Sequence, residues 1–282
     1  MALVPPNVID PPAPPPRPYG IFDVALGPMP FPGPPGGGVQ YVPDVCEDNY
    51  YIIPIDCPAI TGEKTFDVST PSVSGSPFVV MTTYICPPIG FDFDEAKRRV
   101  LTRLSLREQT AVEQRIWSGT SGTLGTITGL FRNAVNLGTA GCPVEAIELL
   151  EQTLADNDVP GGIIHARPGM SAHLTNNYLI HYQNVGRALS TVIRTPLAFG
   201  RGYDGSGPTG QAADGTTEWM YASGRILIWQ DPEIFVPPPG QVLNKSTNQL
   251  SLVAERMYAV AVECGVWAVQ VTRTCTTAGG GT

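Results

Sequence analysis

The sequence has little charge and almost no lysine. Only 15% of its 282 residues are charged, against about 25% in typical soluble domains. Lysine occurs only at Lys64, Lys97 and Lys245, and the formal net charge is -8. A protein that neutralises nucleic-acid phosphates is expected to be basic. The composition therefore argues against tight or sequence-specific binding of nucleic acid, and favours a surface partly covered by other protein subunits.

The sequence also lacks long apolar runs. The first residues combine no basic segment with an apolar stretch, so no secretory signal peptide is predicted. No run approaches the roughly 20 apolar residues of a membrane-spanning helix. We therefore expect cytoplasmic synthesis and no association with a membrane.

The cysteines form neither a disulfide framework nor a zinc motif, since no two have the spacing Cys-x-x-Cys. They are Cys46, Cys57, Cys86, Cys142, Cys264 and Cys275. In a protein made in the cytoplasm we expect free, buried thiols that behave as small apolar side chains. The alternative is a bridge that involves Cys46, Cys57 or Cys86 and forms late, in oxidising surroundings.

Signatures of catalysis and cofactor binding are missing. The glycines from Gly119 to Gly129 follow a predicted helix and precede no Lys-Ser/Thr pair, which excludes a phosphate loop and a dinucleotide fingerprint. No GxSxG nucleophile elbow is present. His165, His173 and His181 belong to different predicted elements, so we interpret them as one hydrogen-bonded core histidine and two surface histidines. We predict no enzyme activity, no cofactor and no catalytic or metal-binding residue.

The N-terminal segment is rich in proline, with about half of the 29 prolines before Asp44. Such a segment cannot form a helix and offers few donors to a sheet, so we expect it to be extended. Apolar residues between the prolines are interpreted as anchors for an arm laid across another surface; they are Tyr19, Ile21, Phe22, Val24, Leu26 and Phe31. A flexible linker or a ligand for a proline-recognising domain is the alternative.

The rest of the chain predicts a mixture of strands and helices. Residues from Val39 to Tyr84 favour short strands that go out and return as a two-stranded excursion, which needs a neighbour to lie on. Asp92 is a predicted N-cap for a long amphipathic helix from Glu95 to Trp117. Residues 119–141 are expected to be a loop with little regular structure, and Pro143–Asp156 a second helix.

The C-terminal half has an α+β pattern. Strands and helices alternate there, separated by glycine-rich turns. The predicted elements are a strand at 163–166, a helix from Pro168 to about Leu179, and strands at 219–222, 225–229, 257–262 and 266–271.

Four groups of local strings resemble a known family. They are GGVQYVPDVC at 37–46, Glu108-Gln109 with Val112-Glu113 and Trp117-Ser-Gly, GGIIHARP at 161–168, and AERMYAV at 254–260. Together with the order of the predicted elements, they resemble the major capsid proteins of tailed phages, which have the Hong Kong 97 fold. The likeness is greatest to capsid proteins of phages that infect actinobacteria.

The resemblance implies an α+β capsid fold with a part for each segment. Residues 1–36 are the N-terminal arm, 37–88 an extended β-hairpin loop, and 89–141 the peripheral domain with its long spine helix. Residues 142–245 are the axial α+β domain, and 246–282 hold the returning strands of the peripheral domain and a C-terminal tail.

The resemblance also implies a function and partners. Copies of the chain assemble into the pentamers and hexamers of an icosahedral shell, which encloses double-stranded DNA without sequence-specific contact. The long scaffolding segment of some members is missing here, so either it has been cleaved or a separate scaffold protein serves, and the start at Met1 favours the separate protein. A portal and, as a further partner, a decoration protein are also expected. The protein would be made in the host cytoplasm and reside in the virion.

Lys64 is the candidate contact residue. Some members of the family join subunits by a lysine–asparagine isopeptide bond, with the lysine on the extended loop, and Lys64 is the only lysine in that segment. The alternative is an exposed or salt-bridged turn lysine. For the whole protein, the alternatives are an encapsulin-like compartment shell, a minor or decoration protein of the virion, and a cysteine hydrolase.

Overall fold

The computed structural model describes residues 18–43, 72–86, 92–182, 188–244 and 246–275. The start of the predicted arm, most of the extended loop with Lys64, Cys46 and Cys57, and the last seven residues lie outside the described residues.

The described residues form four α-helices, α1 (Phe93–Trp117), α2 (Pro143–Asp156), α3 (Met170–Asn176) and α4 (Pro239–Val242). The predicted cap of α1 is confirmed, because the Asp92 carboxylate accepts a 2.7 Å hydrogen bond from the backbone N–H of Glu95. The bounds predicted for α2 are also confirmed. Helix α3 ends earlier than predicted, since Tyr178 has a left-handed backbone (φ 58°).

The strands differ widely in length. In chain order they are β1 (Leu26–Pro30), β2 (Val39–Tyr41), β3 (Val73–Gly75), β4 (Pro77–Cys86), β5 (Gly119–Gly122), β6 (Gly125–Thr128), β7 (Val135–Ala140), β8 (Ile163–Ala166), β9 (His181–Tyr182), β10 (Leu189–Ser190), β11 (Pro196–Phe199), β12 (Thr217–Ser223), β13 (Ile226–Gln230), β14 (Leu243–Asn244), β15 (Gln249–Val262) and β16 (Val266–Thr272).

A five-stranded sheet carries the long helix α1. Its order is β1-β13-β15-β14, and β4 pairs along the other edge of β15. One face packs on α1, which buries Val100, Leu104 and Ile116 against that face. An ion pair in that packing joins Arg256 of β15 to Glu108 of α1, at 3.0 Å with both side chains mostly buried. Helix and sheet therefore share one core.

The second large sheet has seven strands in the order β7-β16-β12-β8-β11-β10-β9. Helix α2 lies on it and contributes Ile147, Leu150 and Leu154 to a separate core. Strand β8, predicted as a short buried strand, is buried at all four positions between β11 and β12. A run of consecutive apolar residues suits a strand that is covered on both faces.

One antiparallel ribbon runs through both sheets. Strands β12 and β16 pair in the seven-stranded sheet, and their continuations β13 and β15 pair in the five-stranded sheet. At the crossing, the N–H of Gly224 donates to the carbonyl of Gly265, and the N–H of Glu263 donates to the carbonyl of Arg225. A Cβ on Gly224 would lie 2.1 Å from the carbonyl oxygen of Glu263, so only glycine fits there.

Residues 119–141 have regular structure, so the predicted loop is wrong. Strands β5 and β6 form a hairpin with a two-residue turn, and β7 pairs in parallel with β16 at the edge of the seven-stranded sheet. The loop was predicted from the glycine content of this segment, but here the glycines occur within and between strands. Gly119 and Gly125 have positive φ, which shapes the hairpin, while the threonines between them favour strands.

The described part of the arm packs on its own subunit. Ile21 is fully buried in the core beneath α1, and the N–H of Phe199 donates a 2.7 Å hydrogen bond to the carbonyl of Tyr19. Strand β1 then pairs in parallel with β13. The prediction that the apolar residues of the arm anchor it on another surface is therefore wrong for five of the six, which pack within their own chain: Tyr19, Ile21, Phe22, Val24 and Phe31.

The ends of the predicted excursion meet, since β2 pairs with β3 in an antiparallel register. Strand β4, which was expected to belong to the excursion, is instead the edge strand next to β15 over ten residue pairs. Buried and exposed side chains alternate along β4. This alternation is typical of a strand in a sheet that is covered by a helix on one face.

Candidate assembly surfaces

The described residues hold no group of three or more metal-ligating side chains. None of the helices in these ranges is long and apolar enough to span a bilayer. Two kinds of feature distinguish the described residues: buried polar groups that link distant segments, and apolar surfaces that are exposed.

His165 is the predicted core histidine, and its position is confirmed, since it is fully buried on β8. Tyr203 donates to its Nδ1 at 3.0 Å, and the ring Nε2 lies 2.8 Å from the Ser223 hydroxyl. Ser223 donates its own proton to the carbonyl of Gly224, so Nε2–H is the donor to Ser223. The serine is therefore not activated as a nucleophile, and burial lowers the pKa of His165 to about 3.

Glu113 of α1 joins three parts of the subunit. Its side chain is fully buried and accepts hydrogen bonds from the N–H of Ile21, the N–H of Gly202 and the amide of Gln109, at 3.1, 3.0 and 2.9 Å. Burial raises its pKa above the ordinary value, while these hydrogen bonds oppose that rise. A Cβ at Gly20 would displace the ends of the Gln109 and Glu113 side chains, so glycine leaves room for this arrangement.

A cleft of about 570 Å³ lies at one edge of the seven-stranded sheet. Arg167, Arg201 and Arg273 line it, and they closely follow the carboxyl ends of β8, β11 and β16, which run parallel to one another. Glu218 accepts from Arg167 at 3.4 Å and from Arg273 at 3.0 Å. With three arginines and one carboxylate, the cleft is positively charged in an acidic chain, which complements an acidic surface.

An apolar surface remains uncovered on the five-stranded sheet, on the face opposite α1. We call it the open sheet face. Directly paired residues of antiparallel strands point to the same side, so register places Val79 beside Met257 and Met81 beside Glu255. Val79, Met81 and Ile85 are 39–59% exposed, and Phe235, which bridges to Glu255, is 58% exposed. Clustered apolar exposure of this kind marks an interaction surface.

The other end of the same sheet face is covered by the subunit itself. Trp229, Ala259 and Ala261 are buried there under residues of the arm and of the paired strands β2 and β3. The ring of Tyr41 packs against Trp229, and its hydroxyl donates a 3.0 Å hydrogen bond to the buried carboxylate of Glu263. Extended segments therefore cover half of an apolar face and leave the other half open.

Isolated apolar side chains project from loops around both sheets. Leu124, at the turn of the β5–β6 hairpin, is 86% exposed. Tyr178 follows α3, and Val192 and Ile193 form the turn between β10 and β11. Exposed side chains of this size at loop tips are candidate contacts to other subunits.

The prediction of free, buried thiols is confirmed for Cys86, confirmed for the free state but wrong for the burial of Cys142 and Cys275, and wrong for Cys264. Cys86 is free and buried, while Cys142 and Cys275 are free and partly or fully exposed. Cys264 is disulfide-bonded, and its partner is outside the described residues. The sequence offered no signal for this bond, because the crossing that carries Cys264 follows from tertiary pairing and not from cysteine spacing.

Comparisons with known proteins identify the fold. No family model and no curated protein matches the sequence. A chain of the "Capsid of empty GTA particle computed with C5 symmetry" has a TM-score of 0.62 at 10% identity, over 96% of each chain. A chain from Mycobacterium phage Ogopogo has a TM-score of 0.54 at 14% identity, covering 95% of this chain and 97% of that chain.

The capsid of Ralstonia phage GP4 matches with a TM-score of 0.54 at 8% identity, over 99% of this chain and 98% of that chain. At such low identity these likenesses establish the fold alone. The predicted α+β capsid fold is confirmed, and so is the resemblance to phage capsids at the level of the fold.

Sequence reasoning missed most of the residues that define these surfaces. Neither the open sheet face nor the role of Glu113 was predicted, because apolar residues occupy both faces of β4 and its sequence does not show which face is exposed. Lys64, the one candidate contact that was named, lies outside the described residues, and its role stays a prediction.

Proposed function

We propose that this chain is the major capsid protein of a tailed phage, and that copies of it form the pentamers and hexamers of an icosahedral shell around double-stranded DNA. The observation that carries this proposal is the correspondence of nearly the whole chain, end to end, with chains of capsid structures.

The half-covered sheet face supports self-assembly. The subunit covers one end of that face with its own extended segments and leaves Val79, Met81 and Phe235 exposed at the other. An extended segment of a second copy would bury these residues in the same way. Many interfaces of this kind, each burying on the order of 1,000 Å², stabilise a shell collectively.

The segments have the following proposed roles. Residues 1–36 supply the arm, and residues 37–88 without β4 supply the extended loop. Helix α1 is the spine of a peripheral domain built on the five-stranded sheet, and α2 belongs to an axial domain built on the seven-stranded sheet. The chain ends in the tail. Lys64 on the extended loop is a contact to a neighbouring subunit, and a separate scaffold protein, a portal and a decoration protein complete the set of partners.

The chain acts as a structural protein and not as an enzyme. The one serine–histidine–tyrosine arrangement in the described residues is fully buried, and its serine proton is already donated to a carbonyl. The acidic net charge is consistent with a wall that encloses DNA without binding it tightly.

Electron microscopy of the expressed protein, alone and with its scaffold protein, tests the proposal. We expect closed shells from the wild-type chain and a strong loss of shells from Met81→Lys, since a charge on the open sheet face opposes burial. Met81→Leu is the matched control, because it keeps the apolar surface, and should assemble normally. A monomer at all concentrations, with or without scaffold, would contradict the proposal.

The same particles separate the alternatives. A compartment that encloses an enzyme instead of DNA would indicate an encapsulin-like shell, and a few copies per virion would indicate a minor or decoration protein. If one equivalent of a thiol-directed inhibitor abolished a hydrolytic activity of the protein, a cysteine hydrolase would be indicated.

A further inference from the structure

Two free cysteines meet where the seven-stranded sheet ends. Strands β7 and β16 are parallel neighbours, with Ala140 opposite Val271. Cys142 lies two residues after Ala140, and Cys275 lies four residues after Val271. Because the ends of parallel strands meet at the same edge of a sheet, residues far apart in the sequence are brought together there.

The two thiols lie close enough to affect each other's titration. Cys275 also lies 3.8 Å from the side-chain oxygen of Asn177. The amide of Asn177 donates to the carbonyl of His173, which orients that oxygen toward Cys275. Cys142 is partly exposed and Cys275 is exposed, so a soluble reagent reaches both.

Cys142 is placed to react first. It occupies the N-cap of the 14-residue helix α2, at the helix end where the backbone N–H groups of Val144 and Glu145 favour its thiolate form. Burial raises the pKa of the Cys142 thiol, but the hydrogen bond from Cys275 and these N–H groups outweigh it, so the pKa is below its ordinary value. The hydrogen bond to Cys142 raises the pKa of Cys275, which identifies Cys275 as the thiol that keeps its proton.

We propose that Cys142 and Cys275 form a disulfide site that a small-molecule disulfide oxidises, joining the C-terminal segment to the start of α2. The Cys142 thiolate attacks one sulfur of the reagent and releases its first thiol. Cys275 then loses its proton and attacks the Cys142 sulfur, which releases the second thiol. Two protein thiols and one small disulfide become one protein disulfide and two small thiols.

The reaction of the unassembled full-length chain with oxidised glutathione tests this site. We expect the loss of two free thiols on titration of the denatured product, an intact mass lower by two hydrogen atoms, and a linked peptide containing Cys142 and Cys275. Cys86→Ser is the matched control and should form the same bridge, because Cys86 is buried at the end of β4 in the other sheet.

The single variants distinguish a pair from two independent thiols. Cys275→Ala should stop at one glutathione adduct on Cys142, and its Cys142 should react several-fold more slowly with the reagent, because alanine offers no hydrogen-bond donor to the thiolate. Separate stable adducts on both cysteines of the wild-type chain, or disulfides between chains without the linked peptide, would overturn the proposal. The result is read on single subunits, so it does not depend on whether shells form.

Discussion

At the scale of single residues, buried polar groups determine how distant segments fit. Glu113 accepts hydrogen bonds from the arm, from its own helix and from the loop after β11. A buried carboxylate is retained only where its hydrogen bonds offset the cost of desolvation. The arm is therefore held to the helix by a specific polar contact in addition to apolar burial.

Glu113→Ala should lower the free energy of unfolding by about 3 kcal/mol, because it leaves buried backbone donors without an acceptor. Glu113→Gln is the milder control, since it keeps one side-chain oxygen as an acceptor. Urea denaturation of the subunit measures both. Equal stability of Glu113→Ala and the wild-type chain would show that water replaces the carboxylate at no cost.

His165 predicts a dependence of stability on pH. Its pKa is about 3 in the folded chain and about 6.5 when exposed, so the unfolded chain binds more protons between these values. Its contribution to stability is therefore present above pH 6.5 and is lost as the pH falls, by about 1.4 kcal/mol per pH unit. Denaturation of wild type and His165→Gln from pH 7 to 4 measures it.

The difference between the two proteins isolates His165 from other groups, among them Glu113, whose raised pKa acts in the opposite direction. We expect the stability of His165→Gln to depend less steeply on pH. Parallel curves for the two proteins would show that the imidazole titrates normally in the folded chain.

At the scale of elements, two substitutions in the β5–β6 hairpin are expected to distinguish effects on folding from effects on assembly. Leu124 at its turn is almost fully exposed, whereas Ile127 on β6 packs against the core beneath α1. Leu124→Ser should change the free energy of unfolding by less than about 0.5 kcal/mol and reduce the yield of shells. Ile127→Ser is the contrasting variant and should be destabilised by about 1–2 kcal/mol.

Thermal or urea unfolding, followed by microscopy of assembled particles, gives both readouts for this hairpin. Normal assembly of Leu124→Ser would remove the hairpin tip from the set of subunit contacts.

The sequence predicted those helices whose ends are determined by neighbouring residues in the chain. The cap at Asp92, the run without glycine or proline in α1 and the proline that opens α2 are each sufficient to locate an element. By contrast, β7 could not be predicted, since its pairing with β16 depends on a residue more than a hundred positions away. The open sheet face and the cysteine pair depend on register between distant strands, which no local pattern encodes.

At the scale of the whole molecule, the arm has two parts with different expected roles. Residues 18–36 belong to the fold of their own subunit, because Ile21 is in its core and β1 extends its sheet. Deletion of residues 1–36 is therefore expected to destabilise the subunit.

Deletion of residues 1–17 alone tests the arm as an assembly element. We expect a subunit with the circular dichroism and thermal unfolding of the full chain that fails to form regular shells. Closed particles of normal size from this deletion would show that the first 17 residues are dispensable for assembly.

The ribbon shared by the two sheets has a mechanical consequence. Strands β12–β13 and β15–β16 cross from one sheet to the other as continuous backbone, with ladder hydrogen bonds on both sides of Gly224. These bonds lie across the strands, so tension that pulls the two sheets apart along the ribbon stretches both backbones together, while the ladder keeps the two strands side by side. A container under internal pressure would thus transmit its load through covalent chain and not through the packing between its halves.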